Sequence, residues 1–397
     1  MEDGNPSEPP RRLDRRRVLL GAATGTAALL AGCGSGGGDG SDGGDGSDGS
    51  DASDGGDGGD GSDGVGQIGS GMAGRPTPGG TPMAAVPELS GRIDVYSGRG
   101  QPLVGALVSR IRERYPDLDL VVRYDSANNL LARLQNEGDN SPADVFFTVN
   151  AGALGSLAKR GRTQQLDDEV LSMARERFRA PDGQWVGTSG RVRTVPYNTE
   201  AMSGVPDDIF AFPDDPRFEN AMGWAPTYSS FQGFVTAMRI LNDRETVKSW
   251  LQGMIDQGTR EFSDEFLVAQ AVADGEIDAG FTNHYYIQRV IESRNDPPIA
   301  TGHTVNDAGS IFNVAGAAVV DTASDPEMAE NFVRHLLSAE AQEYFAVSRT
   351  FEYPAIPEVE PLEQLPTLEQ LDPPDVDLTE LSDLEPTIEL LKNVGLL

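Results

Sequence analysis

The chain has 397 residues and a formal net charge of −32, with 31 Lys and Arg against 63 Asp and Glu, and a single cysteine. That length allows two domains with proper cores. One cysteine excludes an internal disulfide framework, and an acidic chain with no basic stripe beyond its first seventeen residues excludes nucleic acid as a partner, because like charges repel. Lysine occurs only at Lys159, Lys248 and Lys392. An acidic, lysine-poor surface stays hydrated in concentrated salt, where self-repulsion is screened over short distances, so the composition is that of a halophile's protein.

In chain order, the first element is an address. The stretch "DRRRVLLGAATGTAALLAGC" sets Arg15, Arg16 and Arg17 before a short apolar run and then small residues ahead of Cys33, the layout of an export signal. The run is too short to span a membrane. Arg15 to Leu19 resembles a twin-arginine signal, with Asp14 before the pair and Leu20 at the usual Lys site as departures. "LAGC" at Leu30 to Cys33 resembles a lipoprotein processing box, which makes residues 1–33 the expected signal peptide and Cys33 the expected lipidation site. A lipid there anchors the chain to the outer face of the cytoplasmic membrane.

From Asp39 to Asp63 an aspartate recurs at every third position among Gly and Ser. Such a tract has almost nothing to bury, and residues 34–90 are expected to form a disordered tether spanning roughly 40 Å as a flexible coil. The tract holds nine of the negative charges, residues 1–33 carry +1, and 65–90 balance, which leaves −24 on residues 91–397. The acidity therefore belongs to the folded part.

Apolar, β-branched runs of strand length follow at 92–97, 118–124 and 143–149, each succeeded by a helical pattern such as Leu103, Leu107 and Ile111. The alternation predicts a parallel sheet with crossovers. Ligands on such sheets gather beyond the carboxyl ends of the strands, where "SGRGQ" (97–101) and "TVNAG" (148–152) fall. A second α/β segment begins near "SGRVRTVPYN" (189–198) and runs through "FVTAMRILN" (234–242), "VKSWLQGMI" (247–255) and "EFLVAQAVADGEIDAGFTN" (265–283). A strand at 310–320 and an amphipathic helix over 325–346 come next, and a stretch rich in Pro, Glu and Leu from Pro354 ends in the helical pattern "TIELLKNVGLL". The expected architecture is two lobes, 91–192 with 309–397 and 193–308.

The motifs "YSGRGQ", "EGDNSPADVFFT", "SGRVRTVPYN", "QAVADGEIDAGFTNHYY", "VAGAAVV" and "AQEYFAVSRTFEYP" occur in an order and spacing that resembles the ferric-iron-binding periplasmic proteins, over about residues 91–397. The resemblance implies the α/β, two-lobed type II periplasmic-binding-protein fold with an interlobe cleft. It also implies capture of Fe(III) in that cleft, delivery to an ABC permease and its ATPase, and a monomer. The chemistry is coherent, because Fe(III) is a hard cation that favours anionic oxygen, and a phenol ionises near neutral pH only when such a cation displaces its proton.

The family's paired tyrosine ligands carry over to Tyr285 and Tyr286. A histidine and a glutamate that one family variant adds are replaced here by Gly100 and Val149, and a third tyrosine of another variant falls on Tyr197. Three phenolates leave an octahedral shell incomplete, for water or a small anion such as carbonate or phosphate. Arg99 and Arg191, on cleft-side loops, are the expected anion partners, together with Tyr228, Ser229 and Ser230 of the "TYSSF" turn and Asn283. Glu265, near another anion contact of the family, is a departure: its carboxylate would repel a bound anion unless the anion differs or the side chain points away. If its segment is extended, His284 faces away from at least one neighbouring tyrosine and has a supporting or surface role; His303 and His335 show no ligand spacing and are expected in solvent.

The alternative is the same receptor class holding another small ligand: an organic anion, a thiamine-like cation or a metal chelate. No Ser/His/Asp order, Cys/His pair, phosphate loop or zinc spacing points to catalysis, so no enzymatic activity is expected.

Overall fold

The computed structural model describes residues 75–348 and 350–397. The expected signal peptide, Cys33 and the aspartate tract lie outside the described residues. The first half of the fold follows the expected alternation: β1 (Gly91–Ser97), α1 (Gln101–Arg114), β2 (Leu118–Tyr124), α2 (Ala127–Glu137), β3 (Val145–Thr148) and α3 (Ala151–Lys159). α1 turns Val104, Leu107, Val108 and Ile111 inward, the spacing of one helical face. Ser126 and Asn150 start α2 and α3 by accepting bonds from Asn129 N at 3.2 Å and Ala153 N at 2.8 Å. β1 lies parallel to both β2 and β3.

After the short α4 (Asp168–Met173), β4 (Val186–Asn198) runs 13 residues. Beyond it come β5 (Met222–Trp224), α5 (Ser229–Leu241), α6 (Arg244–Asp256), β6 (Arg260–Glu261), α7 (Glu265–Ala273), β7 (Ala279–Gly280), β8 (Thr282–Asn283), α8 (His284–Ser293) and β9 (Ile299–Gly302). The chain then returns through β10 (Phe312–Val319), α9 (Pro326–Leu336), α10 (Ala339–Val347), β11 (Tyr353–Pro354), α11 (Leu368–Leu371) and α12 (Glu385–Val394).

The strand order is β2-β1-β3-β10-β4-β7-β5-β6, with β8, β9 and β11 also paired to β4. β10 is antiparallel to β3 and β4, so the sheet is mixed rather than wholly parallel. β4 is the spine of the molecule. Its residues 186–192 pair with β10, and its residues 193–198 pair with β8 and β9. Gly190 lies where β10 crosses it, and a Cβ there would stand 2.0 Å from the Phe312 ring.

Two apolar cores flank this spine. The first gathers Ile93, Leu107, Phe146, Val314 and Phe332, and the second gathers Phe212, Trp224, Phe234, Trp250 and Phe281.

Three expectations are corrected. The tether does not extend to residue 90: Arg75 pairs with Glu343 at 2.9 Å, Met83 N donates to Glu340 at 2.7 Å, and Met83, Val86 and Leu89 are buried. The Pro- and Gly-rich composition of that stretch masked three apolar anchors. The helix expected over 325–346 is two helices, because Ser338 is extended and Ala339 N donates to Thr81 O at 2.9 Å, tying the break to the same N-terminal segment. The third correction concerns His335, which is fully buried rather than solvated, its ring nitrogens 2.7 Å from Asn331 O and 2.7 Å from the Tyr115 hydroxyl.

The Pro-rich tail places Leu362, Leu365 and Leu371 in the first core, then crosses so that Leu381, Leu390 and Leu391 complete the second. α12 therefore packs with α5 and α6, although the sequence-based division assigned 309–397 to the first lobe.

Burial lowers the pKa of His335 from 6.5 to about 4. Above pH 6.5 both folded and unfolded chains hold it neutral. Between pH 6.5 and about 4 only the unfolded chain takes the proton, so stability falls as pH falls, by about 3 kcal/mol over that window. Urea titrations at fixed salt should show this loss, and His335→Gln should flatten part of the slope.

Candidate metal centre

The tyrosine pair begins a helix rather than continuing a strand. Asn283 ends β8 and is the residue before α8, whose first turn is His284, Tyr285 and Tyr286. In a helix successive side chains fan out by about 100°, which sets His284 apart from Tyr286 while its ring meets that of Tyr285 edge-on at 5.7 Å. His284 is fully buried and points back to the spine. Its Nδ1 lies 3.2 Å from Val192 N, which donates to it, and its Nε2 donates to Phe351 O at 2.6 Å. Those bonds fix a neutral ring, and burial lowers its pKa to about 4. The histidine is a pin between α8, β4 and the segment before β11, and it holds the turn that carries the tyrosines.

Tyr285 and Tyr286 are 7% and 6% exposed, and their ring centroids are 4.4 Å apart. Both rings join the larger apolar cluster, which also takes in Val268 and Val272 of α7 and Ile287 and Val290 of α8. The Asn283 amide, free of any capping duty, donates to the Tyr285 hydroxyl at 3.2 Å. The Arg289 guanidinium lies over both rings, at 5.0 Å and 5.4 Å.

The third phenol is Tyr228. It stands at the N-cap of α5, and its hydroxyl lies 2.5 Å from that of Tyr286. Sequence reasoning gave that hydroxyl to an anion and the third metal position to Tyr197. Tyr197 is not brought to the pair: it pairs with Ala279 and Ala300 and packs on the second core. It is four residues past Arg193, which is in register with Asn283, a displacement of about 13 Å along an extended strand. The signal for Tyr228 was present in "TYSSF", a tyrosine at a helix start.

Arg99 is also corrected. It is fully buried between the Phe147 and Phe345 rings and donates to Ser189 at 2.8 Å and to Glu352 at 2.6 Å. Its charge is matched inside the first core and does not reach the tyrosines. Arg191 donates to Val149 O and lies close enough to His284 to act on it electrostatically, so it borders the site. Ser229 is exposed. His303 is half-buried, with its pKa lowered by burial.

Glu265 points into the site. It opens α7, is fully buried, and forms an ion pair with Arg193. Ser230 Oγ donates to it at 2.5 Å and Asn283 N at 3.0 Å.

Burial raises the Tyr286 pKa well above its ordinary value, aided by Tyr285, Glu265 and Tyr228. Without a cation the Tyr286 phenol therefore keeps its proton, with the Tyr228 hydroxyl at hydrogen-bond distance. A cation that displaces the phenol protons gains anionic oxygens already gathered and shielded from water. Among the described residues, no three His, Cys, Asp or Glu side chains come together as a metal-binding group. The converging donors are phenolic oxygens, a set suited to a small, highly charged, hard cation and unsuited to thiophilic metals.

The sequence profile described as "Bacterial extracellular solute-binding protein" matches residues 106–372. The major ferric iron-binding protein of Neisseria meningitidis serogroup A is 28% identical over 320 residues, covering 79% of this chain and 95% of that protein. Iron uptake protein A1 of Synechocystis is 28% identical over 287 residues, covering 69% of this chain and 79% of that protein. Among solved structures, iron-bound HitA from Pseudomonas aeruginosa superposes with a TM-score of 0.67 at 25% identity, over 77% of this chain and 99% of that one.

Proposed function

Because the chain belongs to the bacterial extracellular solute-binding protein family and has its two-lobed α/β fold, we propose that it captures ferric ion through the phenolates of Tyr228, Tyr285 and Tyr286. The observation that carries this reading is the convergence of three phenol-bearing side chains, with the Tyr285 and Tyr286 ring centroids 4.4 Å apart and the Tyr228 and Tyr286 hydroxyls 2.5 Å apart. A hydrogen bond between two phenols is the metal-free form of a chelate, in which one cation takes the place of the shared proton. Three phenolates neutralise Fe(III), and water or a small anion completes its shell.

The two lobes would close around the ion and present it to an ABC permease with its ATPase. Export and a lipid on Cys33 would hold the receptor at the outer face of the cytoplasmic membrane. Ferric-iron-binding relatives support the cargo, and the Leu-Ala-Gly-Cys box supports the anchor.

Addition of ferric citrate is expected to produce a red-to-violet phenolate-to-iron absorption band. Tyr228→Phe should shift and weaken that band, whereas Tyr197→Phe should leave it in place, because Tyr197 packs on the second core. A colourless wild-type chain would favour the second reading, another small ligand in the same cleft, for which the lack of donor side chains at Gly100 and Val149 speaks.

A further inference from the structure

The groups around the Glu265 carboxylate are those that hold anions. The first turns of α5 and α7 and the residue before α8 meet there, each bringing the positive end of a helix dipole. Ser230 Oγ at 2.5 Å, Asn283 N at 3.0 Å and Arg193 all donate to this one carboxylate. Arg193 is 1% exposed and packs on the Phe231 and Phe234 rings, and its Nε and Nη2 have no hydrogen-bond partner among the described residues. An anion is required here, since an unpaired guanidinium at that depth is costly.

The same cradle touches the tyrosines. Asn283 gives its backbone N–H to Glu265 and its side-chain amide to Tyr285, and Ser230 lies two residues from Tyr228.

We infer that Glu265 is a resident anion: its carboxylate occupies the cradle beside the tyrosine cluster and keeps phosphate or carbonate from solution out of it, so that cation capture does not depend on an added anion. This rests on the ferric reading for its consequence but not for its geometry. A tethered carboxylate competes at a far higher effective concentration than a free anion. Water then completes the ion's shell, because Ser230, Asn283 N and Arg193, the donors that would hold an added anion beside the ion, are already taken by Glu265.

Two measurements test it. Wild-type protein is loaded from ferric nitrilotriacetate, freed of chelator by gel filtration, and its visible band recorded in plain buffer, in phosphate and in carbonate. An unchanged band maximum is expected, and one that moves with phosphate or carbonate overturns the inference. Separately, metal-free wild type and metal-free Glu265→Ala are titrated with inorganic phosphate by calorimetry. The variant is expected to bind phosphate at least ~10-fold more tightly than wild type, a difference of about 1.4 kcal/mol. A folded variant that binds phosphate no better than wild type overturns it.

Where Glu265→Ala does not fold, the wild-type band decides alone. Where wild type forms no band with iron, the ferric reading fails, and phosphate binding by the metal-free variant still decides the role of Glu265.

Discussion

The double substitution Tyr285→Phe, Tyr286→Phe is expected to abolish ferric ion uptake while leaving the fold intact. Both phenyl rings keep their place in the first core and under Arg289, because those contacts are made by the ring faces. What is lost is two hydroxyls and the bonds they make with Asn283 and Tyr228, at a stability cost of about 1–2 kcal/mol. For the cation the loss is of another order. Two of three anionic donors disappear, and affinity should fall on the order of a thousandfold or more, about 4 kcal/mol. Absorbance titration with ferric citrate, beside a thermal melt of the same sample, separates the two effects. A variant that still develops the wild-type band would remove these phenols from the metal centre.

The largest expected effect on stability lies at the other buried ion pair. Glu352→Ala leaves Arg99, fully buried, with its charge unmatched and Ser189 as its remaining hydrogen-bond partner of the pair that Glu352 completes. Breaking a buried pair from one side costs about 3–5 kcal/mol, or roughly 10 °C in melting temperature. Replacing both partners by apolar side chains, Arg99→Met with Glu352→Leu, should recover most of that loss, because no buried charge is then stranded.

Salt supplies the control. Exposed pairs such as Arg92–Asp119, at 60% and 64% exposure, are screened in concentrated salt. The Glu352→Ala deficit should persist there, since no ions reach the pair. Calorimetry across a salt series reads both.

Local pattern was enough for the strands at 91–97 and 118–124 and for the helices after them, where one periodicity decides the element. Tyr285 and Tyr286 were singled out by the family resemblance of their motif, not by periodicity. What it could not supply was every fact set by contact between distant segments. Tyr197 and Tyr228 are both tyrosines near a lobe crossover, and only the strand register and the start of α5 decide which one meets Tyr286. Arg99 sits on a loop of the right kind, yet its destination is fixed by Glu352, some 250 residues away. His335 looked solvated because nothing local marks Tyr115 as its partner. Glu265 was recognised as discordant from sequence, but its role depends on Arg193, Ser230 and Asn283 arriving from three other elements.

The continuity of β4 through both cores has a mechanical meaning. Val192 and Arg193 are neighbouring links of that strand: the first is held by His284, and the second faces Asn283 across the ladder. A change in twist at these two peptide units would alter the angle between the halves and tug on the turn bearing the phenols in the same movement. On the proposed ferric reading, an ion drawn to that turn would be felt at the same two peptide units, and a transporter sensing only the outer contour of the molecule would tell a laden carrier from an empty one.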